Sequence, residues 1–283
     1  GRVCLNTSET LFESQLQPLQ EVVRVSACGF SICDRLPEPV PKPQVARSSR
    51  AGDANPRGDA GDSRIHVNTQ QHIVLPDGRR LAYAEFGRTD GVPVLYFHGS
   101  PSSRFEPLLI GEETLDRLGL RIIAPDRPGM GGSDFQPGRG FSDWPADVVA
   151  LTDAFGLGQF SVLGNSGGGP YVAVCAARMP DRLRAAVIVS GGWRMDWPEA
   201  REGLPFMNRL VMTLARRAPC LLRLLLSAMG GIAQGDREKE LRQLKQRVPP
   251  ADYAAFAQPG RLEALGESMR ACMLQGTKGA AWD

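Results

Sequence analysis

Histidine is scarce in this chain. Only His66, His72 and His98 occur, so nothing beyond position 98 can supply an imidazole. A charge excess is missing too. The 33 basic residues nearly balance 31 acidic ones, which leaves no electrostatic footprint for nucleic acid. No apolar run reaches the about 18 residues that a membrane span requires. The nearest, Leu221 to Ile232, is interrupted by Arg223 and preceded by Arg216 and Arg217. The cysteines (Cys4, Cys28, Cys33, Cys175, Cys220 and Cys272) lack metal-ligand spacing. They read as reduced thiols of a cytoplasmic protein, with no metal and no cofactor expected. What the chain does have is 42% apolar residues, enough to build a packed core.

Three regions differ in character. Residues 1–65 hold short apolar clusters and then a stretch of proline, glycine, serine and mixed charge from Leu36 to Arg64. This region is expected to be a disordered or poorly ordered extension. Residues 66–192 alternate strand and helix signals. Runs at 72–75 and 79–86 flank a Pro76-Asp77-Gly78 turn. Buried strands are expected at 94–97, 120–124, 160–163 and 184–190, with helices at about 106–118, 143–155 and 168–178. Strands apolar on both faces and alternating with helices predict a mostly parallel α/β sheet covered on both sides. Residues 193–283 show no strand signal, only helical segments near 203–218, 219–229, 236–247, 250–257 and 261–274.

The residues that carry chemistry lie at the ends of the predicted strands. Gly164-Asn165-Ser166-Gly167-Gly168 stands between a strand and a small-residue helix. A serine on so sharp a turn is held in strained geometry, with its hydroxyl above the carboxyl edge of the sheet. Gly164 and Gly168, two before and two after, are expected because a side chain there would strike a neighbouring strand or helix. The helix that follows aims its free N–H groups at the place where an oxyanion would form. The sequence has neither the dinucleotide fingerprint nor a phosphate-loop lysine. His98-Gly99-Ser100-Pro101 ends an earlier strand. Gly99 lets the backbone turn so that the amide of Ser100, with that of Gly167, can hold an oxyanion beside Ser166. His98 reads as a structural histidine tying down nearby loops, because a base must reach the nucleophile from the side away from those amides.

These motifs, together with Asp126-Arg127-Pro128-Gly129-Met130-Gly131-Gly132-Ser133, resemble the α/β-hydrolase superfamily over about residues 66–283. The lineage is that of cap-bearing serine hydrolases: esterases, proline iminopeptidases and haloperoxidase-like enzymes. The resemblance implies an α/β-hydrolase fold with a helical cap, and a cofactor-free enzyme that takes a small-molecule acyl substrate through an acyl-enzyme. Ser166 is then the nucleophile, Ser100 and Gly167 the oxyanion amides, and Asp126 a loop-fixing residue. Epoxide hydrolases and haloalkane dehalogenases share the His-Gly-x-Pro element but carry aspartate where this chain has Ser166. The cap would roof an apolar pocket with Trp193, Trp197, Phe206, Met207 and Met212.

One departure stands out. The superfamily orders its triad as serine, acid, histidine, yet no histidine follows Ser166. Asp283 comes too early to be the acid, and Asp196 is the one stand-in. The chain is therefore expected to be a fragment, with its C-terminal strands missing and its hydrolysis lost. A non-catalytic binding or scaffold protein and a functionless gene fragment are the alternatives. Without outer neighbours, the 184–190 strand should form an exposed apolar edge and favour self-association.

Overall fold

The computed structural model describes residues 23–26, 68–191, 206–232 and 237–282. Seven strands form one sheet: β1 (Val23–Ser26), β2 (Asn68–Val74), β3 (Arg80–Gly87), β4 (Val92–Phe97), β5 (Leu120–Pro125), β6 (Phe160–Asn165) and β7 (Leu183–Val189). Their order is β1-β7-β6-β4-β5-β3-β2. From β1 to β5 along that order every pairing is parallel, and β3 and β2 add to the far side antiparallel. The Pro76-Asp77-Gly78 turn closes the β2–β3 hairpin, where the Gly78 amide donates to the Leu75 carbonyl at 2.9 Å.

Three helices belong to the sheet: α1 (Glu112–Arg117), α2 (Trp144–Ala154) and α3 (Gly169–Arg178). On α2, Trp144, Val148 and Leu151 are buried at spacings of four and three. That spacing puts them on one face. They meet Leu95, Phe97, Val162, Tyr171 and Val172 in the core on one side of the sheet. On the other side Phe86, Tyr96 and Ile122 pack with Phe105 and Leu115. The central strands are covered on both faces, as their largely apolar runs require. The helix expected over 106–118 is in fact two pieces, a 3₁₀ turn Glu106–Leu109 and α1, separated by Gly111 at φ +85°.

All described elements after position 205 are helices: α4 (Phe206–Arg217), α5 (Pro219–Ile232), α6 (Arg237–Arg247), α7 (Pro250–Phe256), α8 (Arg261–Cys272) and α9 (Lys278–Trp282). The last two rest on loops at the carboxyl ends of β4 and β5. Ser268 Oγ on α8 accepts from the Ser103 amide at 3.0 Å. Gln275 Nε2 donates to the Gly131 and Ser133 carbonyls at 2.8 and 2.9 Å. The Trp282 indole donates to the Arg139 carbonyl at 3.1 Å.

Two expectations need correction. Residues 23–26, inside the extension read as poorly ordered, form a strand, and that strand lies along β7 with Val23 opposite Ala186 and Ser26 opposite Val189. The open edge expected along β7 is thus occupied. A row of unpaired backbone groups beside apolar side chains is costly, and Val-Arg-Val-Ser supplies a β-prone partner for it. Deleting residues 1–27 should uncover that edge. Light scattering is expected to show the truncated protein self-associating at concentrations where the full chain does not. Equal behaviour of the two would mean that β1 protects nothing.

Candidate active site

β6 ends at Asn165, and Ser166 begins a 3₁₀ turn, Ser166–Gly168, that runs directly into α3. Ser166 sits at φ +48°, a left-handed conformation that a non-glycine residue adopts only when its surroundings impose it. The surroundings are visible. A Cβ on Gly164 would lie 2.5 Å from the Gly168 carbonyl oxygen, and one on Gly168 would lie 2.1 Å from the Phe97 carbonyl oxygen. Strand β4, the turn and the start of α3 are in backbone contact, and only glycine fits at either position. The Ser166 side chain is exposed above this contact.

The His98–Pro101 turn comes up beside it. The Ser100 nitrogen lies 3.2 Å from where a Gly167 Cβ would stand, and Ser166 Cβ is 3.4 Å from the corresponding point on Gly99. The backbones that carry the Ser100 and Gly167 amides are therefore adjacent, next to Ser166. His98 is fully buried. Its Nε2 accepts from the Arg127 amide at 3.3 Å, and its Nδ1 lies 2.8 Å from the Gly99 carbonyl. Since Nε2 must accept, Nδ1 carries the proton and donates. Both ring nitrogens are engaged in holding loops. His72 is exposed on β2, four strands from β6 in the sheet order and so about 19 Å away at ordinary strand spacing. His66, Asp196, Trp193 and Trp197 lie outside the described residues.

Three buried polar residues that sequence reading missed hold the site. Arg127 is fully buried over the Tyr171 ring, 4.8 Å from its centroid. Its guanidinium donates to the His98 carbonyl and, at 2.9 Å, to the Gly99 carbonyl. Glu106 accepts from the Gly99 amide at 2.6 Å, from the Tyr96 hydroxyl at 3.1 Å and from the Asn165 side-chain amide. It therefore ties the His98–Pro101 turn to the residue just before Ser166. Burial, with the Glu106 carboxylate beside it, pushes the Tyr96 hydroxyl well above its usual pKa, so Tyr96 stays a donor. Arg104 donates to the Asp126 carboxylate from its guanidinium and, at 2.7 Å, from its own amide. Asp126 also accepts from the Gly132 amide at 2.9 Å. Burial raises the Asp126 pKa and Arg104 opposes the shift. With every near neighbour a turn amide or Arg104, Asp126 fixes the loop after β5. These roles leave little trace in sequence, because the partners are mostly backbone groups brought together by the fold.

Not every expected lining residue is at the site. Phe206 and Met207 are 70% and 51% exposed, so the described structure does not place them over a pocket. A cleft of about 500 Å³ opens between Leu108–Gly111 and residues 258–267, and none of Ser166, Ser100 and Gly167 lines it.

The segment from 92 to 222, which contains the whole turn cluster, matches the family model described as alpha/beta hydrolase fold. Over that segment, a little under half of its length, the chain is similar to the α/β-hydrolase family. It is 40% identical over 123 residues to the non-heme chloroperoxidase of Streptomyces lividans, covering 42% of this chain and 43% of that protein. It is 29% identical over 120 residues to the proline iminopeptidase of Neisseria gonorrhoeae, covering 41% and 38%. A thermophilic esterase from Thermogutta terrifontis, solved with malate bound, superposes with a TM-score of 0.49 at 25% identity, over 77% of this chain and 70% of that one. The chain spans about two-fifths of the length of these curated relatives.

Removing the Glu106 carboxylate would strand the buried Gly99 N–H and the Tyr96 hydroxyl. Glu106→Ala is expected to cost about 1–3 kcal/mol of unfolding free energy, measured by urea denaturation, and Glu106→Gln clearly less. Equal stability of Glu106→Ala and the parent would show that the hub carries no weight.

Proposed function

We propose that this chain carries the nucleophile half of a serine hydrolase acting on an ester-type or amide-type acyl group. The observation that carries the reading is Ser166 at positive φ between β6 and α3, with the Ser100 and Gly167 backbones beside it. In the proposed reaction the Ser166 oxygen attacks the carbonyl carbon. The carbonyl oxygen takes the negative charge against the Ser100 and Gly167 amides, and collapse expels the leaving group to give an acyl-Ser166 ester. Water then hydrolyses that ester. A serine hydroxyl needs a neighbouring base to take its proton, and the leaving group needs an acid. Both nitrogens of His98 are held by Arg127 and Gly99, so His98 is not assigned that work. The relatives named as a chloroperoxidase and a proline iminopeptidase leave the leaving group open.

The same engagement of His98 favours a second reading, a non-catalytic binding protein that keeps the elbow. Chemistry separates the two. With the chain as it stands, hydrolysis of a short p-nitrophenyl ester is expected at or near background, because in serine proteases the oxyanion site and binding alone retain only about 10³–10⁴-fold over water. A fluorophosphonate probe should still label slowly, and peptide mapping should find the label on Ser166 and lose it in Ser166→Ala. No label on Ser166 under forcing conditions would favour the binding protein. Robust turnover abolished by Ser166→Ala would show that a base is present, and His98→Ala would then test that residue.

A further inference from the structure

The α4–α5 hairpin carries basic side chains and no acidic ones. Between Glu202 and Asp236 there is no acidic residue, while Arg209, Arg216, Arg217 and Arg223 all fall in that stretch. An even spread of the chain's 31 acidic residues would place about three or four there. The two helices pack against each other, and α9 packs on α5. The outer surface of α5 nevertheless stays apolar, and that of α4 carries arginine. On α5, Leu222 and Leu226 are buried, while Leu221 and Leu224 are 57% and 69% exposed. At 100° per residue, Leu221 and Leu224 fall on the side opposite the buried pair, so α5 is apolar front and back. A helix of that kind is normally buried on both faces. On α4 no described residue is fully buried, and its first turn exposes Phe206 and Met207. Arg209 and Arg216 are seven residues apart and share one side of α4.

We infer that the α4–α5 hairpin docks on membranes that carry anionic lipid. Apolar residues on the back of α5 beside four arginines and no acidic side chain suit the anionic boundary of a bilayer, where apolar chains and negative headgroups meet. Phe206, Met207, Leu221 and Leu224 would enter the boundary between headgroups and acyl chains, and the arginines would meet the anionic headgroups. The docking is peripheral. No helix among the described residues is long and apolar enough to cross a membrane, and α5, with 14 residues, is about 21 Å long against a hydrocarbon core of about 30 Å.

Flotation of the full chain with two vesicle compositions tests this: phosphatidylcholine alone, and phosphatidylcholine with phosphatidylserine at about 7:3. At low salt the protein should float with the serine-lipid vesicles, stay below with the neutral ones, and be released by high salt. Arg216→Gln/Arg217→Gln should weaken binding about thirtyfold. Leu221→Ser/Leu224→Ser should abolish it with unchanged circular dichroism. Ser166→Ala should bind like the parent, which separates this outcome from that of the hydrolase reading. Failure to float, equal binding to both compositions, or double variants that bind like the parent would each overturn the inference. So would a dimer in solution that Leu221→Ser/Leu224→Ser converts to monomer, because a second copy would then cover the surface.

Discussion

The Arg127 guanidinium sets the geometry on which the candidate site depends. It reaches the carbonyls of His98 and Gly99 from below, and the His98 Nδ1–H adds a second donor to the Gly99 oxygen. A trans peptide unit is flat, with its carbonyl and N–H on opposite sides. Pinning the Gly99 oxygen therefore fixes the plane of the peptide that carries the Ser100 N–H and aims that N–H the other way. The guanidinium itself is fixed by the Tyr171 ring on α3, and Tyr171 packs edge-on against Trp144 of α2. The direction of one amide thus follows from the packing of two helices on the sheet.

Two buried carboxylates do separate work around that clamp. Asp126 is paired with a full positive charge from Arg104 and collects two turn amides. Glu106 has only neutral donors among its hydrogen-bond partners: a backbone amide, a phenol and a carboxamide. The first holds the loop after β5 to the chain that follows the His98–Pro101 turn. The second holds that turn to β4 and β6. A buried network is stabilising only when each member is satisfied, and here each carboxylate collects three donors.

Much of this was readable in the sequence where a residue type has one physical use. Glycines two before and two after Ser166 announce close backbone approach, and the apolar tetrads of β4 and β5 announce burial on both faces. His98 was read as structural from the side on which a base would have to stand, and its two ring nitrogens meet the Arg127 amide and the Gly99 carbonyl. Arg127, Glu106 and Arg104 were not legible as a set, since a lone charged residue in sequence reads as surface and their acceptors and donors come from distant strands. β1 escaped for a different reason. Four residues carry no period, and their partner lies at the other end of the fold. Phe206 and Met207 read as pocket lining because apolar residues in a helix are ordinarily covered, and here they are not.

The pairing of β1 with β7 closes the longest loop in the sheet for one of its shortest ladders. Closure entropy grows with loop length, whereas the return scales with the handful of bonds formed. β1 is thus the element that docks last during folding and departs first during local opening, with the six-strand block from β7 to β2 intact behind it. Hydrogen exchange along the β7 backbone would then divide by side: amides facing β6 keep the protection of the block, and those facing β1 report only the brief lifetime of a four-residue latch.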